Sequence, residues 1–221
     1  MLEGQFKARL RGVSAYLRSL RELEKRHKTP GKGFYGAASA LAASRAASFI
    51  MIYNCVEYAT RETIVSVRKR MEGDSVAFIE LEKYWQHEIL EAHFKKKFED
   101  GVNHISIIRE FASFTPGKIT WLHKKGDIPF SGSIDHEKLI KFAKDIGDRN
   151  WRPPHSSLGG SDLKTVKIAR NALAHGEDTF EVVGSNYSID DISDKLKRIK
   201  SFMCSFIKMM ERYEADRKYL N

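Results

Sequence analysis

The stretch Arg170-Asn171-Ala172-Leu173-Ala174-His175 is where residue types and spacing in this sequence could do chemistry. Arg170 lies seven residues after Leu163, hence about 20° from it on a helix, and Val166 and Leu173 flank the same apolar stripe. An arginine on the packed side of a helix is costly unless an acid or a phosphate pairs with it. Its planar fork suits a phosphate, which it can bind bidentately. His175 follows five residues later, roughly 140° round the helix and in its last turn. There the helix C-terminus favours the imidazolium, and histidine is the side chain that titrates where a general acid or base works best. Structural roles stay open for both residues. Arg170 could pair internally with Glu57, and a histidine near a helix C-terminus is a common favourable cap.

Other apparent motifs lead nowhere. Gly31-Lys32-Gly33-Phe34-Tyr35-Gly36 matches a dinucleotide-binding glycine pattern, but a helix precedes it where the mechanism needs a strand. A helix–helix loop is expected there. The eight histidines show neither i, i+4 pairing nor grouping with cysteine, so no metal or other cofactor is implied. Cys55 and Cys204 each sit inside an apolar helical pattern, as inert core thiols do.

The elements that must position Arg170 and His175 are helical. Phe6, Leu10, Val13, Leu17 and Leu20 alternate steps of four and three, an amphipathic helix that should stop near Thr29-Pro30-Gly31. A second helix is predicted from about Ala38 to Met71, with Phe49, Ile52, Val56 and Ala59 on one face and polar Asn54 and Glu57 close beside it. A third is predicted over Val76–Phe98 and a shorter one over Ile105–Phe114. From Thr115 to Gly160 prolines and glycines interrupt the pattern, apart from a short helix over Asp135–Ile146. Ser161-Asp162 opens the helix that ends at His175, with Gly176 as its C′ residue. An extended or turn segment is expected over Thr179–Tyr187. Ser188 and Asp191 then cap a last helix carrying Ile192, Leu196, Ile199, Met203, Phe206, Met210 and Tyr213. The expected architecture is an all-α, antiparallel up-and-down bundle, one domain over 1–221, with a loop-rich excursion at 115–160 before the helix of Arg170.

Charge narrows the partners. The formal net charge is +9, and residues 1–32 hold nine Lys/Arg against three acids. The tail from Lys195 to Asn221 adds eight basic residues against three acidic ones. Such an excess attracts polyanions, although a solvated helix face gives the same pattern. The longest uncharged runs, Gly33–Ser44 and Ala46–Val56, are too short to span a membrane. Lys7, Arg9 and Arg11 lack a following apolar core, so no signal peptide is expected and a cytoplasmic setting is the simplest reading.

Arg170 through His175 resembles the Arg-polar-x-x-x-His motif of the HEPN superfamily. Three further stretches are similar to its stand-alone nucleases. They are Tyr53-Asn54-Cys55-Val56-Glu57, Phe130-Ser131-Gly132-Ser133-Ile134-Asp135, and Gly176-Glu177-Asp178-Thr179-Phe180 leading to Tyr187. Two positions depart from the pattern. Ser133 stands where asparagine is expected, and Glu177 where a tyrosine-bearing extension is adenylylated in some members. The resemblance implies a metal-independent endoribonuclease acting as a toxin or defence effector, or else a non-catalytic module of that fold that binds RNA or a partner protein. In the first case Arg170 would bind and neutralise the scissile phosphate, and His175 would move the proton in attack of the ribose 2′-hydroxyl. Asn171 would hold the histidine or the phosphate, with Glu57 and Asn54 supporting. The 2′-hydroxyl requirement makes RNA the substrate. The family's cleft forms where two protomers meet, which implies a homodimer, and an antitoxin or defence-system protein is a possible partner.

Overall fold

The computed structural model describes residues 2–28, 36–99, 101–114, 117–119, 130 and 132–221. Among them are eight α-helices and no strand, so the chain is an all-α helical bundle. In order these are α1 (Leu2–Lys28), α2 (Ala37–Gly73), α3 (Lys83–Glu99), α4 (His104–Phe114), α5 (His136–Asp145), α6 (Ser161–His175), α7 (Phe180–Ser185) and α8 (Ile189–Ala215). The helix stop expected at Thr29-Pro30-Gly31 and the glycine pattern up to Tyr35 lie outside the described residues. No described helix is long and apolar enough to cross a membrane.

The chain divides into two compact units. One comprises Met1–Thr60, Phe130–Leu139 and Arg152–Ile207; the other Arg61–Pro129, Ile140–Trp151 and Lys208–Asn221. In the first unit the four-three alternation of α1 is realised: Phe6, Leu10, Val13, Leu17 and Leu20 are all buried. They pack with Phe49, Ile52 and Val56 of α2, Leu163 and Val166 of α6, and Ile192, Leu196, Ile199, Phe202 and Phe206 of α8 as one apolar core. Cross-helix contacts fix direction. Tyr16 Oη donates to the Ser44 carbonyl (3.1 Å) and Tyr58 Oη to Gln5 Oε1 (3.1 Å), so α1 and α2 are antiparallel. Lys7 and Leu10 of α1 line a common groove with Leu196 and Lys200 of α8, and Arg21 pairs with Asp190 at the other end, so those two helices have the same relation.

Within Thr179–Tyr187, where an extended or turn segment is expected, Phe180–Ser185 is helical. Thr179 caps α7, its Oγ1 accepting from the Val182 N–H at 3.3 Å. A six-residue helix is too short to persist alone, so packing must hold it. Gly184 supplies that packing: a Cβ there would lie 1.7 Å from the Ala42 carbonyl oxygen of α2. The close approach lets Arg45 Nε donate to the Gly184 carbonyl at 3.0 Å while its Nη1 meets Glu24 at 3.4 Å.

In the second unit the aromatic centre is Trp85, fully buried, with its Nε1–H donating to Tyr213 Oη at 2.7 Å and Phe142 edge-on at 6.3 Å. Here the third predicted helix starts late, at Lys83 and not at Val76. The Ala77–Lys118 bridge and a 3-10 turn over Phe78–Glu80 take its place. The reason is long-range pairing. The Glu82 N–H donates to the Tyr219 carbonyl (2.7 Å) and the Asn221 N–H to the Glu80 carbonyl (2.9 Å), which draws this backbone out of helical register.

The two glycine environments give a paired test. Gly184→Ala should lower stability by about 3 kcal/mol or more, because rigid backbone stands where the methyl must go. Gly12→Ala, in open space on an exposed face of α1, should raise it by about 0.5–1 kcal/mol. Denaturant unfolding followed by circular dichroism reads both, and a Gly184→Ala protein as stable as wild type would refute the close contact.

Candidate functional site

The site is built on α6. Its first turn is anchored by Asp162, which is 5% exposed and accepts from Lys195 (3.0 Å) and from Arg198 Nε (2.5 Å) of α8. Burial pushes the Asp162 carboxyl up, but the hydrogen bonds and charges of Arg198 and Lys195 outweigh it and hold the group below the usual carboxylate range. At the other end Gly176, at φ 71°, turns the chain, and the Ala172 carbonyl accepts from the Gly176 and Glu177 N–H groups. His175 thus occupies the last helical position, as the sequence indicates, and is exposed.

Arg170 is half-buried and its guanidinium lies over the Tyr53 ring of α2, 4.5 Å from the centroid. Its Nη1 donates to the Asn171 Oδ1 (3.1 Å) and, more loosely, to the Gly132 carbonyl (3.4 Å). Nε and Nη2 have no hydrogen-bond acceptor among the described residues. The internal ion pair with Glu57 is not formed. Glu57 Oε1 instead accepts from the Gly132 N–H at 3.1 Å, so Glu57 acts on Arg170 only through the Gly132 peptide.

Gly132 begins a strap that continues through Ser133 and Ile134 to Asp135. The Ile134 N–H donates to Tyr53 Oη (3.1 Å), and burial pushes that phenol up, keeping it protonated. Asp135 is buried, pairs with Lys167 of α6, and caps α5 by accepting from the Lys138 N–H (3.0 Å). Three of the sequence stretches singled out above therefore meet: Tyr53 to Glu57, Gly132 to Asp135, and Arg170 to His175. Tyr53 and Lys167 belong to this cluster although the sequence reading assigned them no role. The signal for Tyr53 was its place four residues before Glu57, on the same face of α2.

Other expected members stand apart. Asn171 holds Arg170, not His175, and no hydrogen bond joins the Asn171 and His175 side chains. Asn54 is exposed and makes no hydrogen bond among the described residues. Tyr187 packs on Phe49, ring centroids 4.7 Å apart, as a core contact. Both cysteines are free, and burial pushes each thiol up, away from nucleophile chemistry. Among the described residues no group of three or more His, Cys, Asp or Glu could hold a metal ion.

The arrangement can therefore do two things. It presents a guanidinium, fixed on one edge and free on the other, to an anion. It also offers an imidazole to solvent at a helix C-terminus. No family model matches the chain, and no curated protein or solved structure matches it either. The HEPN resemblance rests on the quoted residues.

Asp162 gives a test of the α6 anchor. Its folded pKa lies below the unfolded value of about 3.9, so its pairing stabilises fully above that pH and is lost as pH falls through the lower folded value. Asp162→Asn should cost about 2–3 kcal/mol at pH 7 and flatten the acid limb of the stability profile below about pH 4. Urea unfolding at pH 7 and pH 3 measures both effects; an unchanged acid limb would rule out the anchoring role.

Proposed function

We propose that the chain is a metal-independent endoribonuclease of HEPN type, acting as a toxin or defence effector. The observation that carries this reading is Arg170, held by Asn171, Gly132 and Tyr53 with two guanidinium nitrogens left for a phosphate. Arg170 binds the scissile phosphate and offsets the charge that builds on it. His175 accepts the ribose 2′-hydroxyl proton as that oxygen attacks phosphorus, and the departing 5′-oxygen takes up a proton. The products are a 2′,3′-cyclic phosphate and a 5′-hydroxyl. The nucleophile is in the substrate, so proton transfer and electrostatics suffice.

Within one chain Arg170 and His175 face different sides of α6. A homodimer resolves this, with Arg170 of one protomer working beside His175 of its partner. Exposed apolar side chains on α6 and α7 support it. Ile168 is 58% exposed and shares the stripe of Asn171 and His175, and Phe180 and Val182 of α7 are 38% and 49% exposed. An antitoxin or defence-system protein would find the same side chains available.

A second reading is a non-catalytic module of that fold, binding RNA or a partner protein. It is favoured by His175, which no described side chain orients, and by Asn171, whose carbonyl is already engaged by Arg170.

Purified protein should cut single-stranded RNA in excess EDTA and leave 2′,3′-cyclic phosphate ends. Arg170→Ala and His175→Ala should each slow cleavage by at least about 100-fold without loss of helicity. Cleavage that survives both substitutions overturns the assignment, and RNA binding without products selects the non-catalytic reading.

A further inference from the structure

Between α1 and α8 of the first unit runs a groove of about 250 Å³ into which six cations face: Lys7, Arg11, Arg18, Arg21, Lys197 and Lys200. No acidic residue lines it. Its floor is aliphatic, from Leu10, Leu17 and Leu196. On α1 the cations stand at steps of four, seven and three, one position beyond the buried seam, so they form a continuous stripe. From Lys7 to Arg21 that stripe runs about 21 Å along the helix.

Half of these charges are already compensated. Lys7 pairs with Glu3 (2.6 Å), Lys197 with Asp194 (2.9 Å), and Arg21 with Asp190. Arg11, Arg18 and Lys200 are exposed and make no ion pair among the described residues. Three uncompensated cations converging on one groove repel one another, and a bound polyanion removes that repulsion and releases its own counterions.

The groove is not the Arg170–His175 site. Ser193, Lys197 and Lys200 line it, whereas Lys195 and Arg198 point to Asp162 of α6. On a helix these two sets lie roughly 165° apart, so the groove and α6 occupy opposite faces of α8.

We propose that this groove binds the phosphate backbone of a single-stranded nucleic acid. A channel between two packed helices is too narrow for a duplex, whereas one phosphate chain follows its length. The chemistry also sets the specificity. No aromatic ring lines the groove to stack a base. Ser14 and Ser193 donate their hydroxyls to the Leu10 and Ile189 carbonyls of their own helices (3.0 and 2.7 Å). Binding is therefore electrostatic, indifferent to base and to the 2′-hydroxyl, and steeply salt-dependent. It stands whether or not the chain cleaves RNA.

The test is fluorescence anisotropy with labelled U12 and dT12 oligonucleotides and a 12-base-pair duplex, between 50 and 300 mM salt. U12 and dT12 should bind alike and the duplex more weakly. The variant Arg11→Glu/Arg18→Glu/Lys200→Glu alters only exposed side chains. It should lose at least about tenfold in affinity at 100 mM salt. Its slope of log affinity against log salt should be shallower by about two, at roughly 0.7 per phosphate contact. Arg11→Lys/Arg18→Lys should bind like wild type, and the loss on charge reversal should be equally large in the wild-type and in the Arg170→Ala/His175→Ala background, which separates the groove from the cleavage site. Charge reversal that leaves affinity and slope unchanged overturns the proposal. So does binding to phosphatidylserine vesicles with none to either oligonucleotide, which would make the groove a lipid-headgroup site.

Discussion

Gly132 is gripped on both sides. Glu57 of α2 accepts its N–H and Arg170 of α6 donates to its carbonyl, while its φ of 75° is one that residues bearing a Cβ adopt at a cost. This clasp sets where Arg170 can be. The guanidinium is drawn to the strap and over Tyr53, which leaves Nε and Nη2 without an acceptor among the described residues. Asn171 completes the hold from the adjacent position on α6. A phosphate arriving at Arg170 would meet a side chain whose rotamers are already restricted, so little entropy remains to be lost on binding. His175 is the opposite case, with a fixed backbone at the helix end and an imidazole that no neighbour orients.

Buried charge is handled differently in the two units. Asp162 has two cationic partners and lies in the first turn of a helix, so its ionised form is favoured in spite of burial. In the second unit Glu88 meets Arg68 at 2.6 Å, both nearly without solvent exposure, and its Oε2 has no hydrogen-bond partner. There burial prevails and pushes the Glu88 carboxyl up, with the Arg68 charge opposing it. A buried pair with an unsatisfied oxygen adds little net stability, yet removing either partner would strand the other. Both pairs fix the register of the helices that carry them.

The parts of the fold legible in the sequence are those set by local periodicity and local capping. The seams of α1 and α8 carry a strong four-three alternation, and both helices lie where it places them. Ser188 and Asp191 form the reciprocal cap expected of them, each backbone N–H bonding to the other's side chain at 3.0 Å. Gly176 ends α6 as expected. What could not be read locally was decided by distant partners. Val76 to Leu81 is helix-compatible in composition but is claimed by Lys118 and by the backbone of Tyr219 to Asn221. Phe180 to Ser185 is helical because Gly184 admits the Ala42 carbonyl, a contact no short window contains. The site divides in the same way. The positions of Arg170 and His175 on α6 follow from spacing, whereas the routing of Glu57 through Gly132 depends on a strap some 75 residues away in sequence.

The placement of tryptophan has a spectroscopic consequence. Trp85 and Trp151 belong to the second unit, and Trp85 is fully buried there; Trp121 lies outside the described residues. The first unit, with the Gly132 strap, Arg170 and the basic groove, contains none. The buried Trp85 makes tryptophan emission a reporter on the melting of the second unit, whereas far-ultraviolet dichroism sums the helices of both. If the two signals coincide through a thermal transition, the units melt as one cooperative body; a gap between them measures how independently the arginine-bearing unit holds together.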